Sequence, residues 1–128
     1  MYPLLKTLFS VVLTLTFGPA FACTEGSNGC DVGKREWVEY IQDTLSFSFC
    51  DAGSPFVKCS DVSPVQCRKI ASAAANECLA KLDKTIPPLL NRTEAGDRGE
   101  ALGDCMGGKL FKAIKIREDK DPDCAGML

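Results

Sequence analysis

The stretch Cys67–Cys78, CRKIASAAANEC, decides the fold of this chain, because two cysteines flank an alanine-rich run. Alanine has the highest helix propensity, so the run predicts a helix. Eleven positions are close to three helical turns, which places both cysteines on one face with Cα atoms about 16 Å apart. A disulfide tolerates at most about 7 Å, so the two cannot bond each other. Each must bond a different segment, which makes this helix the centre of the fold.

The N-terminal segment indicates the compartment in which the chain works. Residues 1–22 contain a lysine, an apolar run at Thr7–Phe17 that is too short to span a bilayer, and a final Ala-x-Ala pattern. We interpret them as a secretory signal peptide that is removed. Residues 23–128 then form a single cysteine-rich helical domain, secreted or periplasmic, without an integral membrane segment. Lipid anchoring at Cys23 is the alternative, although Phe21 departs from the usual lipoprotein pattern.

The eight cysteines all lie in the predicted mature part. An even number in a short exported chain predicts a disulfide framework. For the central helix, Cys67 has three candidate partners, namely Cys50, Cys59 and Cys105, and Cys78 is expected to bond Cys30 or another cysteine. No metal site is predicted, because histidine is absent and no Cys-x-x-Cys pair exists. The predicted disulfide cysteines are Cys23, Cys30, Cys50, Cys59, Cys67, Cys78, Cys105 and Cys124.

Two helices are predicted from periodicity and from capping signals. Apolar residues recur at every fourth position over residues 34–49, which is typical of an amphipathic helix. The central helix is expected to start after Ser63, with proline at its first position and Gln66 completing a capping box. We expect it to end near Leu82.

A third helical segment is predicted from about Thr93, and it carries a series of glycines. Their spacing keeps them on one helix face, where each costs about 1 kcal/mol relative to alanine. One hypothesis is that this face gives backbone contact with the alanine-rich helix. The alternative is that Gly108 ends one helix and residues 109–116 start another. The glycines are Gly96, Gly99, Gly103 and Gly107.

The remaining segments are interpreted as loops, and they join the helices into a small bundle. Residues 119–123 resemble the opening of a calcium loop, but Cys124 stands where that loop needs glycine, so we interpret them as a solvated turn. The predicted fold class is all-α, a small disulfide-stapled bundle of three or four helices. The loops are residues 23–33, 50–62 and 84–92, followed by the tail 118–128.

Composition excludes several classes of function. The absence of histidine removes the hydrolases and nucleases that need an imidazole base. The net charge is −2 and the cations are scattered among carboxylates, so nucleic acid is not a predicted partner. An enzyme would depend on carboxylates alone. We therefore predict no catalytic residue, no cofactor and no enzymatic activity.

By elimination, the sequence predicts an exported non-enzymatic protein-binding module. The hypothesis is an inhibitor or an immunity-type protein that blocks a partner toxin or hydrolase in the periplasm or outside the cell. The alternative is a secreted carrier of a lipid or other apolar ligand, for which the glycine and alanine faces would have to open a cavity. The candidate partner contacts are Phe56 and Lys58, which lie in the loop 51–58.

Overall fold

Four helices and a small sheet form the part of the chain that the computed structural model describes, residues 24–26 and 29–128. The strands form one antiparallel sheet in chain order. The predicted all-α, disulfide-stapled bundle of three or four helices is confirmed, with the sheet as an unpredicted addition. The helices are α1 (Lys34–Cys50), α2 (Pro55–Lys58), α3 (Pro64–Leu82) and α4 (Arg92–Ala113). The strands are β1 (Thr24–Gly26), β2 (Gly29–Gly33) and β3 (Leu89–Leu90).

Helix α3 is the central helix that the sequence predicts, with the predicted bounds. Its N-cap, Ser63, accepts a hydrogen bond from the backbone N–H of Gln66, while the Ser63 N–H donates to the Gln66 side chain. This capping box satisfies two of the N–H groups that a helix start otherwise leaves unpaired. The alanines at 71 and 75 are fully buried, so neighbouring helices approach the α3 backbone closely.

Two disulfides fasten α3 to different helices. Cys67 bonds Cys50 at the end of α1, with Cα atoms 5.4 Å apart. Cys78 bonds Cys105 in α4, with Cα atoms 5.9 Å apart. Cys50 is one of the three partners that were considered for Cys67. The partner of Cys78 is Cys105, whereas Cys30 was the residue named for it in the prediction. The two bridges therefore fix α1 and α4 at opposite ends of the central helix.

The third disulfide that the structure describes, Cys59–Cys124, holds the C-terminal tail against the segment that follows α2. The backbone N–H of Arg117 donates to the carbonyl of Cys59 over 2.7 Å, and the side chains of Ile114 and Ile116 are buried. Cys124, one of the predicted disulfide cysteines, therefore ties the tail to the bundle.

Some of the sequence predictions fall outside the described residues. These are the signal peptide at residues 1–22, the disulfide or lipid anchor at Cys23 and the disulfide of Cys30, whose side chain is not described. They stay predictions.

The glycine face of α4 packs against α1. Helix α4 continues through Gly108 to Ala113, so the alternative of two separate helices is wrong. The proposed contact with the alanine-rich helix is also wrong, because a Cβ atom on three of the four glycines would meet α1 side chains, and one on Gly96 would meet no atom within 4 Å. The pairs are Gly99 with Ile41 at 3.4 Å, Gly103 with Leu45 at 3.7 Å and Gly107 with Phe49 at 3.6 Å. Helix α3 instead packs on the larger apolar side chains of α4, in one core with Leu102, Met106 and Leu110.

Three predicted loops contain regular structure: residues 23–33 contain β1 and β2, residues 84–92 contain β3, and residues 50–62 contain α2. In residues 23–33, β2 pairs with β3 so that Val32 lies opposite Leu90, and both side chains join Trp37 in a second small core. Trp37 is only 3% exposed there. In residues 50–62, the chain forms the one-turn helix α2, which begins with a proline at its first position. The sequence missed these elements because the strands and the helix are too short to show a period.

We predict opposite effects for two glycine substitutions in α4. Gly108→Ala should raise the free energy of unfolding by about 0.5–1 kcal/mol, because the new methyl group meets no atom within 4 Å and alanine favours helix. Gly103→Leu should lower it by about 1–3 kcal/mol, because the side chain would push against Leu45. Denaturant unfolding of the oxidised protein measures both. Equal effects at the two positions would contradict the assigned packing of α4 on α1.

Candidate functional site

A surface groove between α3 and α4 is the candidate site. Its volume is about 550 Å³, within the range of pockets that bind small ligands or a side-chain cluster. Its floor is apolar and consists mostly of alanine: Ile70, Ala73 and Ala74 come from α3, and Ala113 comes from α4. Because alanine side chains are short, an incoming apolar group can approach the helix backbones closely.

The rim of the groove is positively charged. It has three lysines, Lys69, Lys109 and Lys112, and one carboxylate, Glu77. Lys109 donates a hydrogen bond to Glu77 from the opposite helix, and this contact, with Lys81 as a lesser cause, lowers the pKa of Glu77. Among the described residues, Lys69 and Lys112 have no acidic partner. The groove therefore carries an excess of positive charge, while the whole chain has a net charge of −2.

A disulfide fixes the width of this groove. Cys78 follows Glu77 directly in α3, and Cys105 precedes Lys109 by one turn of α4. The Cys78–Cys105 bond therefore holds the two helices together beside the ion pair that crosses the groove. A partner would meet a preformed surface, which reduces the conformational entropy lost on binding.

A second groove lies at the start of α1 and has a balanced charge. Its volume is about 720 Å³. Lys34 forms an ion pair with Asp83 over 2.7 Å and also donates to the Asp83 carbonyl. Arg35 and Glu36 also line this groove. This groove has as many cations as carboxylates, so it attracts a charged partner less strongly than the α3–α4 groove does.

The two predicted partner contacts, Phe56 and Lys58, make contacts within the chain. The half-buried Phe56 ring packs edge to face on Phe49, with ring centroids 5.8 Å apart. Lys58 is hydrogen-bonded to Asp123 and lies 3.6 Å from Asp121, which raises the pKa of the lysine. Neither residue lines the α3–α4 groove. Their role in binding a partner stays a prediction.

Ion pairs hold the acidic tail, including the segment that resembles a calcium loop. Asp61 accepts from Lys120 over 2.6 Å and from Arg117 over 3.2 Å, and these two hydrogen bonds lower its pKa. Arg117 likewise lowers the pKa of Asp119, and Lys58 lowers that of Asp123. The carboxylates of this turn thus form ion pairs with lysine and arginine side chains of the same chain. Within residues 31–128, no cluster of ligating side chains is arranged to hold a metal ion.

The groove itself was missed at the sequence level, although α3 carried part of its signal. Ile70, Ala73, Ala74 and Glu77 follow the i, i+3, i+4, i+7 pattern of one helix face. We expected α4 to face α3 through its glycines, whereas those glycines face α1 and a different face of α4 packs on α3. The lysines of α4 therefore could not be placed beside this face.

The fold and the disulfides define the chain as a small, disulfide-stapled helical protein, a class that is typical of oxidising compartments outside the cytosol. A family model described as "NttA: T2SS substrate NttA" matches residues 31–118, which is more than half of the chain. The chain therefore belongs to the NttA family, whose description names a substrate of the type II secretion system (T2SS). No curated protein and no solved structure matches it.

The family supports a secreted protein, as the N-terminal segment and the cysteines predicted. In the described part of the chain, none of the helices has both the length and the apolar character needed to cross a membrane.

We predict that Arg117→Gln raises the titration midpoints of the Asp61 and Asp119 carboxyl groups and leaves that of Asp123 unchanged. The ion pairs lower the folded-state pKa values of these two groups. Their contribution to the free energy of unfolding is therefore complete above the ordinary aspartate pKa of about 4, and it is lost as the pH falls through the lowered values. NMR titration of side-chain carboxyl carbons measures the midpoints. An equal rise at Asp123, which pairs with Lys58, would contradict the assignment.

Proposed function

We propose that this chain is an exported, non-enzymatic protein-binding module of the inhibitor type. It binds a toxin or hydrolase outside the producing cell through the α3–α4 groove. The observation that carries the proposal is the groove itself: an apolar floor and two lysines without acidic partners, on helices joined by a disulfide. Small size and rigidity suit a protein whose task is to fit a partner surface.

The carboxylates support a non-enzymatic role. A general acid that works near neutral pH needs a raised pKa. Among the described carboxylates, those whose pKa departs clearly from the ordinary value all have it lowered, and each of them is paired with a lysine or arginine. They are Asp61, Glu77, Asp119 and Asp123. Such groups stay ionised and serve as ion-pair partners.

Two related hypotheses are ranked below this proposal. An immunity protein protects the cell that makes it, whereas a substrate of a secretion system leaves that cell, so the family favours a target outside. A lipid carrier would need its glycine and alanine faces to open a cavity. Instead, Gly99, Gly103 and Gly107 of α4 lie against α1 side chains, and the alanines at 71 and 75 of α3 are fully buried.

The test places a photo-crosslinking amino acid at Ala73 in the groove and, as the matched control, at its exposed neighbour Ser72, which does not line the groove. The oxidised protein is exposed to extracellular proteins of the producing organism and of the cells that it encounters. We expect one protein to crosslink at position 73 and not at 72.

Binding measurements with the purified target then distinguish specific binding from non-specific crosslinking. Ala73→Trp should weaken its binding at least tenfold, while Ser72→Trp leaves it unchanged, and circular dichroism confirms that both variants fold. If the target is a hydrolase, one equivalent of the wild-type chain should suppress its turnover. Equal binding by both variants would overturn the proposal. So would an amphiphile that is extracted from the wild type and lost from Ala73→Trp, since that result favours the carrier.

A further inference from the structure

We propose that the partner presents an acidic, amphipathic α-helix to the α3–α4 groove, an inference that rests on the proposed function. Its apolar side chains lie on the alanine floor, and its carboxylates pair with Lys69 and Lys112. The chemical class of the partner follows from the charge, length and depth of the groove.

The charge of the rim selects a partner with carboxylates. Glu77 already has two lysines near it, Lys109 through a hydrogen bond and Lys81 at longer range. Lys69 and Lys112 stand on different helices and have no acidic partner in the described part of the chain. A helix that brings a carboxylate to each of them gains two ion pairs, whereas a basic helix would be repelled.

The length and depth of the groove select a helix. From Ile70 to Glu77, the groove runs along two turns of α3, which is about 10 Å. Two turns of a partner helix match this length and place residues i, i+4 and i+7 on one line. The short side chains of Ala73 and Ala113 leave room for larger apolar groups such as leucine. This arrangement is the helix-in-groove mode of peptide recognition.

A fatty acid could form the same ion pair with its single carboxylate, but the groove suits it less. The two lysines without acidic partners, Lys69 and Lys112, lie on separate helices, so a ligand needs two carboxylates to pair with both. The floor is shallow and open at the surface, so most of an acyl chain longer than the groove would stay in water.

The test selects binders from a displayed library of amphipathic helical peptides with randomised polar positions, using the complete oxidised protein as bait. We expect the selected peptides to carry aspartate or glutamate on both sides of an apolar stripe. A Lys69→Glu/Lys112→Glu variant should bind them at least tenfold more weakly, and a Lys69→Arg/Lys112→Arg variant should retain binding. An Arg35→Glu/Lys84→Glu variant, with the same change in charge away from the groove, is the matched control.

The outcomes separate this inference from the proposed function. Peptides that are lost on Ala73→Trp but carry no acidic residues would overturn the inference and leave the groove as a protein-binding site. Peptides that bind Ala73→Trp as well as the wild type would contradict both. An NMR titration with laurate forms the third arm: laurate bound in the groove, together with no groove-dependent peptide, would overturn the acidic helix in favour of an anionic amphiphile.

Discussion

The structure depends on two disulfides that leave one face of α3 in different directions. Cys67 and Cys78 are three turns apart, so one bonds the end of α1 and the other bonds the middle of α4. Each bridge contributes about 2–4 kcal/mol by restricting the unfolded chain, comparable with much of the net stability of a small domain. With both helices fixed to α3, the glycine face of α4 can close against α1. On the other side of α4, the Cys78–Cys105 bridge also sets the width of the α3–α4 groove.

Local signals were sufficient for much of this fold, and long-range pairing was not predictable. Ser63 and its capping box predicted the start of α3. Helix α4 also starts with a capping box, formed by Asn91 and Glu94, which was not used in the prediction, and α4 begins at Arg92 rather than near Thr93. The pairing of Val32 with Leu90 joins segments far apart in the chain. The partner of the glycine face likewise depends on how whole helices pack, which helix periodicity alone does not determine.

The candidate site shows the same division between local and long-range information. The face of α3 that forms the floor was visible as a helical pattern, but its ion pair joins Glu77 to Lys109 across two helices. The family supports secretion of the chain, since its description names a substrate of the type II secretion system. Under our proposal, the groove determines how it acts, through a preformed apolar surface with positive charge that a partner meets without rearranging the fold. In that proposal, the disulfides serve both the stability of the fold and the geometry of the groove.

Because disulfides fasten α3 to α1 near one end and to α4 near the other, we expect α3 to be the last element to open. Native-state hydrogen exchange of the oxidised protein tests it most directly, because each amide reports the free energy of the opening that exposes it. The account predicts that amides of Ala71–Cys78 exchange slowest, and only through global unfolding. Faster exchange there than at the start of α1, through local opening of α3, would contradict it.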